Sequence, residues 1–101
     1  MDSIDKIKKY TGTYSGADEL YDDSKTFDAV MMNFVVIGEM ADKLTDDFRD
    51  STSSQINWLK VIGFRNIIAH NYFGIDAEEV WQIISDSLIN LEKELKLITG
   101  K

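Results

Sequence analysis

The segment Phe64-Arg65-Asn66-Ile67-Ile68-Ala69-His70-Asn71-Tyr72-Phe73-Gly74 concentrates the groups able to do chemistry. It holds the one histidine of the sequence and one of its two arginines. An arginine suits a phosphate because its planar fork offers two parallel, charged hydrogen bonds. A histidine accepts and returns a proton near neutral pH. Together, and without metal ligands, the two fit the cleavage of a phosphodiester by attack of a ribose 2′-hydroxyl. Helical geometry sets a condition on that chemistry. Five residues along an α-helix turn through about 140° beyond a full revolution, so Arg65 and His70 would not share a face. They converge only if the helix unwinds around His70 or if a second chain contributes. The same residues also fit a capping histidine and a salt-bridging arginine, and spacing alone leaves both readings open.

The composition removes several other chemistries. With no cysteine among 101 residues, disulfides, thiolate zinc sites, iron–sulfur clusters and a cysteine nucleophile are excluded. One histidine cannot build a multi-histidine metal site within one chain. No metal or other cofactor is therefore expected. Eighteen acidic side chains against eleven basic ones leave a net charge of −7, which argues against coating nucleic acid through bulk charge. A small, local basic site is still allowed. The first residues lack the apolar run of a signal peptide, and the apolar stretch from Ala29 to Ile37 is far short of the ~20 residues that span a bilayer. A cytoplasmic protein with no membrane association is the expectation.

The elements that must position these residues read as helices. Proline is absent, and no segment alternates with period two. Ile4, Ile7 and Tyr10 recur at helical spacing behind Ser3, a candidate cap. Thr11 to Gly16 breaks that helix, and Ala17 to Tyr21 allows one further turn. Phe27, Val30, Met31, Phe34, Ile37, Gly38, Ala41 and Leu44 fall on one stripe of a long helix. Met32, Val35, Val36 and Met40 add apolar surface on its other faces, as in a helix that is central or covered by a second subunit. Ser51 to Gln55 reads as a loop, and a helix opening at Trp58 should end between Asn71 and Gly74. Asp76 and Glu79 form a capping-box pair ahead of the seam Val80, Ile84, Leu88, Leu91, Leu95 and Ile98, which closes at Gly100. The expected fold is an all-α small helical bundle in one domain spanning residues 1–101.

Arg65, four residues, His70, one residue and Tyr72 resemble the signature of the HepT-like ribonuclease toxins of the HEPN superfamily. The likeness extends beyond the motif. Thr26 to Val30, Asn33 and Ile37-Gly38-Glu39 resemble that family's long central helix. Ile56-Asn57-Trp58 and Ile62 to Asn66 resemble the approach to its site, while Tyr72 to Asp76 and Val80-Trp81 resemble the exit. What the resemblance implies is a HEPN-like bundle working as a two-fold homodimer, a metal-independent endoribonuclease with RNA as substrate. Arg65 and His70 would line the cleft and Asn66 would support them. It also implies a partner, an antitoxin of the minimal nucleotidyltransferase (MNT) type that adenylylates Tyr72. Non-enzymatic binding of a nucleotide or of that transferase is the alternative. Against the family pattern, the first helix is short, and Asn71 stands where many relatives carry glycine, keeping a residue that tolerates a left-handed backbone.

Other residues carry two readings each. Asn33 and Glu39 would either orient Arg65 and His70 or bridge helices as a polar pair. Trp58 and Trp81 sit at helical spacing among aliphatics and are expected in the core rather than stacked on bases. Asp46 and Asp47, with Asp22 and Asp23, lack calcium-loop spacing and read as solvated surface. Tyr72 is expected to be exposed, because an enzyme must reach its hydroxyl.

Overall fold

A computed structural model describes residues 2–100, and these are helical with no strand among them. In chain order the helices are α1 (Asp2–Thr11), α2 (Ala17–Asp22), α3 (Ser24–Asp42), α4 (Asp46–Ser51), α5 (Trp58–Asn71), α6 (Ala77–Gln82) and α7 (Leu88–Thr99). A 3₁₀ turn, Tyr72–Gly74, follows α5, and a π turn, Ile83–Ser87, joins α6 to α7 into one continuous rod. The all-α bundle expected from the sequence is the fold observed.

Local chemistry explains most boundaries. Asp23 caps α3, its carboxylate accepting from the Thr26 amide at 3.1 Å and from the Thr26 and Tyr14 hydroxyls at 2.8 and 2.7 Å. Those donors hold the Asp23 carboxyl below its ordinary pKa, the Tyr14 hydroxyl contributing most. Asn57 caps α5 by accepting from the Lys60 amide at 3.1 Å. Gly100, with φ +73°, closes α7 in the left-handed conformation that favours glycine. Three expectations change. Ser3 lies buried inside α1 rather than capping it, because helical backbone already begins at Asp2. Asp76 accepts from the Glu78 amide at 3.0 Å, but no bond returns from Glu79, so only half of the capping box forms. Of the acidic residues read as solvated surface, Asp23 is instead the half-buried cap of α3, whereas Asp46 and Asp47 are exposed as expected and open a short helix, α4, capped by Thr45.

The core is built from the predicted stripes. Ile4, Ile7, Leu20, Val30, Met31 and Val80 are essentially inaccessible to solvent. Trp58 is buried and donates its indole N–H to the Thr52 hydroxyl at 2.8 Å, so it packs rather than stacks on a ligand. Trp81 is partly buried against the same core. The molecule measures 41 × 29 × 19 Å, and its thinnest dimension is only two helix diameters. In a two-layer slab the long central helix cannot be covered on every side. α3 buries one face against α1 and α5, its most extensive partners. Its other face leaves Met32, Val36 and Met40 exposed.

Candidate active site

The site begins at the contact between α3 and α5. Gly38 makes it possible: a Cβ at that position would overlap the Arg65 Cβ and come within 3.0 Å of its Cγ. Without a side chain at 38, the stem of Arg65 lies directly on the backbone of α3. Its guanidinium then reaches one turn along α3. Nη1 donates to Glu39 at 2.9 Å and to Asp42 at 3.4 Å, and Nε donates to the Asn66 side-chain carbonyl at 3.1 Å. The Arg65 side chain keeps only 15% of its exposure, whereas Glu39 and Asp42 each keep 52%. Nη2 has no hydrogen-bond partner among the described residues. The arginine is thus fixed in place by three oxygens with one donor edge left over.

His70 lies in the last turn of α5 and is exposed. Helical backbone continues through His70, so the helix does not unwind ahead of it, and no hydrogen bond links it to Arg65. Of the two routes by which the pair could converge, unwinding of the helix around His70 is not seen in this backbone. α5 ends at Asn71, whose φ of −148° and ψ of 47° belong neither to the helical nor to the left-handed region. The left-handed tolerance of asparagine is therefore not used, and no residue other than glycine has a positive φ among those described.

Tyr72, the first residue of the 3₁₀ turn, is half-buried rather than exposed. Its ring meets Phe27 edge-on at 6.2 Å and 77°, and its hydroxyl donates to the Asp28 carboxylate on α3. Burial first, then the hydrogen bond to Asp28 and the charge of that carboxylate, push the phenol up to about 12. The hydroxyl is neutral at physiological pH and already engaged. Its oxygen retains acceptor capacity, since only the proton is committed.

The motif reading identified Arg65, Asn66, His70 and Tyr72, and the structure places them along one helix and the turn that follows. It joins Arg65 to Asn66 and leaves His70 and Tyr72 apart from that pair. Of the two polar residues left undecided on α3, Glu39 binds Arg65, whereas the Asn33 amide donates back to the Ala29 carbonyl at 2.8 Å. Asp28 and Asp42 were missed. Asp42 was within reach of pattern reasoning, because it follows Glu39 at helical spacing on the face that Gly38 opens. Nothing local marks Asp28. A groove of about 730 Å³ runs beside α5, lined by Phe34, Ile37, Leu59, Phe64, Ile67 and Leu88 among others. It includes none of the motif residues, and no cluster of metal-binding side chains occurs among the described residues.

The profile of the family described as Ribonuclease HepT-like matches residues 1–98. The chain belongs to the HepT-like ribonuclease family. It is similar to two Methanocaldococcus jannaschii proteins whose names suggest an RNase. One is 33% identical over 70 residues, covering 69% of this chain and 63% of the relative. The other is 36% identical over 81 residues, covering 80% and 66%. A Thermococcus cleftensis protein named as a HepT-type ribonuclease is 28% identical over 91 residues, covering 90% of this chain and 81% of its own length. The chain thus spans less than two thirds of the length of the two archaeal RNase-named relatives given first. No solved structure matches it.

Proposed function

We propose that this HepT-like ribonuclease chain is a metal-independent endoribonuclease, the toxin of a toxin–antitoxin module, acting as one helical domain within a cytoplasmic homodimer. The observation that supports this reading best is the split environment of α5: a guanidinium fixed with a donor edge free, and an exposed imidazole near the end of the same helix. In a two-fold dimer, His70 of one copy takes the proton of a ribose 2′-hydroxyl as its oxygen attacks the adjacent phosphorus. The bond to the 5′-oxygen breaks, and His70 of the other copy returns a proton to that leaving oxygen. The products are a 2′,3′-cyclic phosphate and a 5′-hydroxyl. Arg65 holds the non-bridging oxygens and offsets the charge that grows on them, while Asn66, Glu39 and Asp42 keep it oriented.

A dimer also accounts for the exposed stripe Met32, Val36 and Met40, which the two-layer slab leaves in water. Control runs through Tyr72: transfer of AMP by a cognate MNT-type nucleotidyltransferase adds bulk and negative charge beside the site, opposing RNA phosphates. No helix among the described residues is long and apolar enough to cross a membrane.

Purified protein incubated with single-stranded RNA and a chelator is expected to generate cyclic phosphate ends, and light scattering should give about twice the 11.5 kDa chain mass. Val36→Asp should lower mass and activity together. With the transferase and ATP, peptide mass spectrometry should find AMP on Tyr72. A monomer that cleaves RNA would remove the composite cleft, and AMP mapping only elsewhere would remove Tyr72 as the control point.

A further inference from the structure

We infer that Phe73 is a stacking platform for an unpaired RNA base next to the phosphate being cut. The inference rests on the ribonuclease reading and adds to it a residue that holds substrate. Phe73 is 100% exposed, and the next most exposed large apolar side chain, Leu59, reaches 82%. A phenylalanine wholly in water contributes nothing to this core, so its ring is available for a ligand. The backbone beneath it is fixed. Asn71 ends α5, the Ile75 amide closes the 3₁₀ turn onto the Tyr72 carbonyl at 3.3 Å, and Gly74 lies against the Asn71 side chain. Tyr72, the neighbour on which Phe73 leans, is itself held by Phe27 and Asp28. The two rings meet edge to face at 5.6 Å and 87°. The platform is thus presented on a closed turn, three residues beyond His70.

Charge supplies the second argument. The chain carries −7 overall, and Arg65 shares its positive charge with two carboxylates. Phosphate attraction alone holds RNA poorly on such a surface. Stacking needs no net charge, tolerates any base, and survives salt that screens ionic contacts. It also selects single strands, whose bases are free to splay onto an aromatic face.

The test uses a short single-stranded RNA that carries 2-aminopurine and 2′-O-methyl riboses, so that it binds without being cut. The wild-type protein should quench the 2-aminopurine emission. Phe73→Ala should lose the quenching and bind about tenfold more weakly, with the deficit persisting at high salt. Phe73→Trp should restore both. On cleavable RNA, Phe73→Ala should raise KM about tenfold with kcat little changed. Cleavage by the wild type together with an unaltered KM and quench in Phe73→Ala would overturn the platform while leaving the ribonuclease reading intact. Loss of the dimer mass in Phe73→Ala, with RNA affinity per dimer unchanged, would also overturn it and assign Phe73 to a protein interface. A wild-type protein that neither binds nor cuts RNA would overturn both.

Discussion

Arg65 and His70 stand five residues apart on one helix and occupy opposite kinds of environment. Around Arg65, α5 presses on α3 so closely that only a glycine at 38 fits, and three oxygens fix the guanidinium. Around His70 the helix is exposed, and its imidazole has no hydrogen-bond partner among the described residues. The difference follows the demands of the two groups. A phosphate-binding fork gains from being held in one orientation before substrate arrives. A proton carrier must meet different oxygens at different steps, which a fully bonded imidazole cannot do. One helix meets both needs because 140° or so of rotation turns one residue inward and the other out.

The most severe way to break this contrast is to remove either end of it. His70→Ala or Arg65→Ala should lower RNA cleavage by about 10²–10⁴-fold and relieve growth arrest in cells, with the circular dichroism of the helices unchanged. Full cleavage by either variant at equal folded concentration would separate the motif from the chemistry.

The next test compares one substitution in two places. Gly38→Ala inserts a methyl group into the stem of Arg65, and relieving the overlap should cost about 1–3 kcal/mol, more than the gain of up to ~1 kcal/mol in helix propensity. At Gly63, on the same helix as Arg65, a Cβ meets nothing within 4 Å. Gly63→Ala should therefore stabilise by about 0.5–1 kcal/mol. Urea midpoints give both signs directly. Equal effects at the two sites would mean that the α3–α5 contact is no tighter than the open side of α5.

The smallest effect is confined to alkaline pH. With its folded pKa at about 12 against 10.0 in its ordinary state, Tyr72 favours the fold while protonated. That contribution is fully present below pH 10 and is lost as pH rises toward 12. The Tyr14 hydroxyl is also raised, so ultraviolet titration compared with Tyr72→Phe should assign the late phenol to Tyr72, and Asp28→Asn should bring it down by removing the charge while leaving the burial. An unchanged titration in that variant would show that Asp28 does not hold the hydroxyl.

The stripe on α3 and the seam from Val80 to Ile98 were legible because a helix that buries one face must repeat apolar residues every three or four positions. The end of α5 was legible from Asn71 to Gly74, though not the conformation Asn71 adopts. The ligands of Arg65 were only half legible. Glu39 stood out as a charge within an apolar run, but which of several polar residues meets an arginine 26 positions away depends on how two helices slide against each other. That sliding is set by Gly38, whose meaning appears only once its neighbour is known. The Asp28–Tyr72 bond spans 44 positions and has no local signature at all. Tyr72 was expected in the open because its proposed modification demands access. The packing of Phe27 and the carboxylate beside it instead draw the ring inward.

The π turn at Ile83–Ser87 bears on how the chain tolerates changes in its own length. A π turn is an α-helix with one residue to spare, since it closes hydrogen bonds across five positions instead of four. Ser85 and Asp86 lie within it and face solvent, whereas Ile84, also within it, and Leu88 after it are buried. Deleting Ser85 would let the turn relax to ordinary α geometry and leave Leu88 and Leu91 facing the core as before. The same deletion in α3 or α5 would swing every later side chain by about 100° and scatter the site. The C-terminal rod thus carries a spare residue that insertion or deletion can use, and the helices that bear Glu39, Arg65 and His70 carry none.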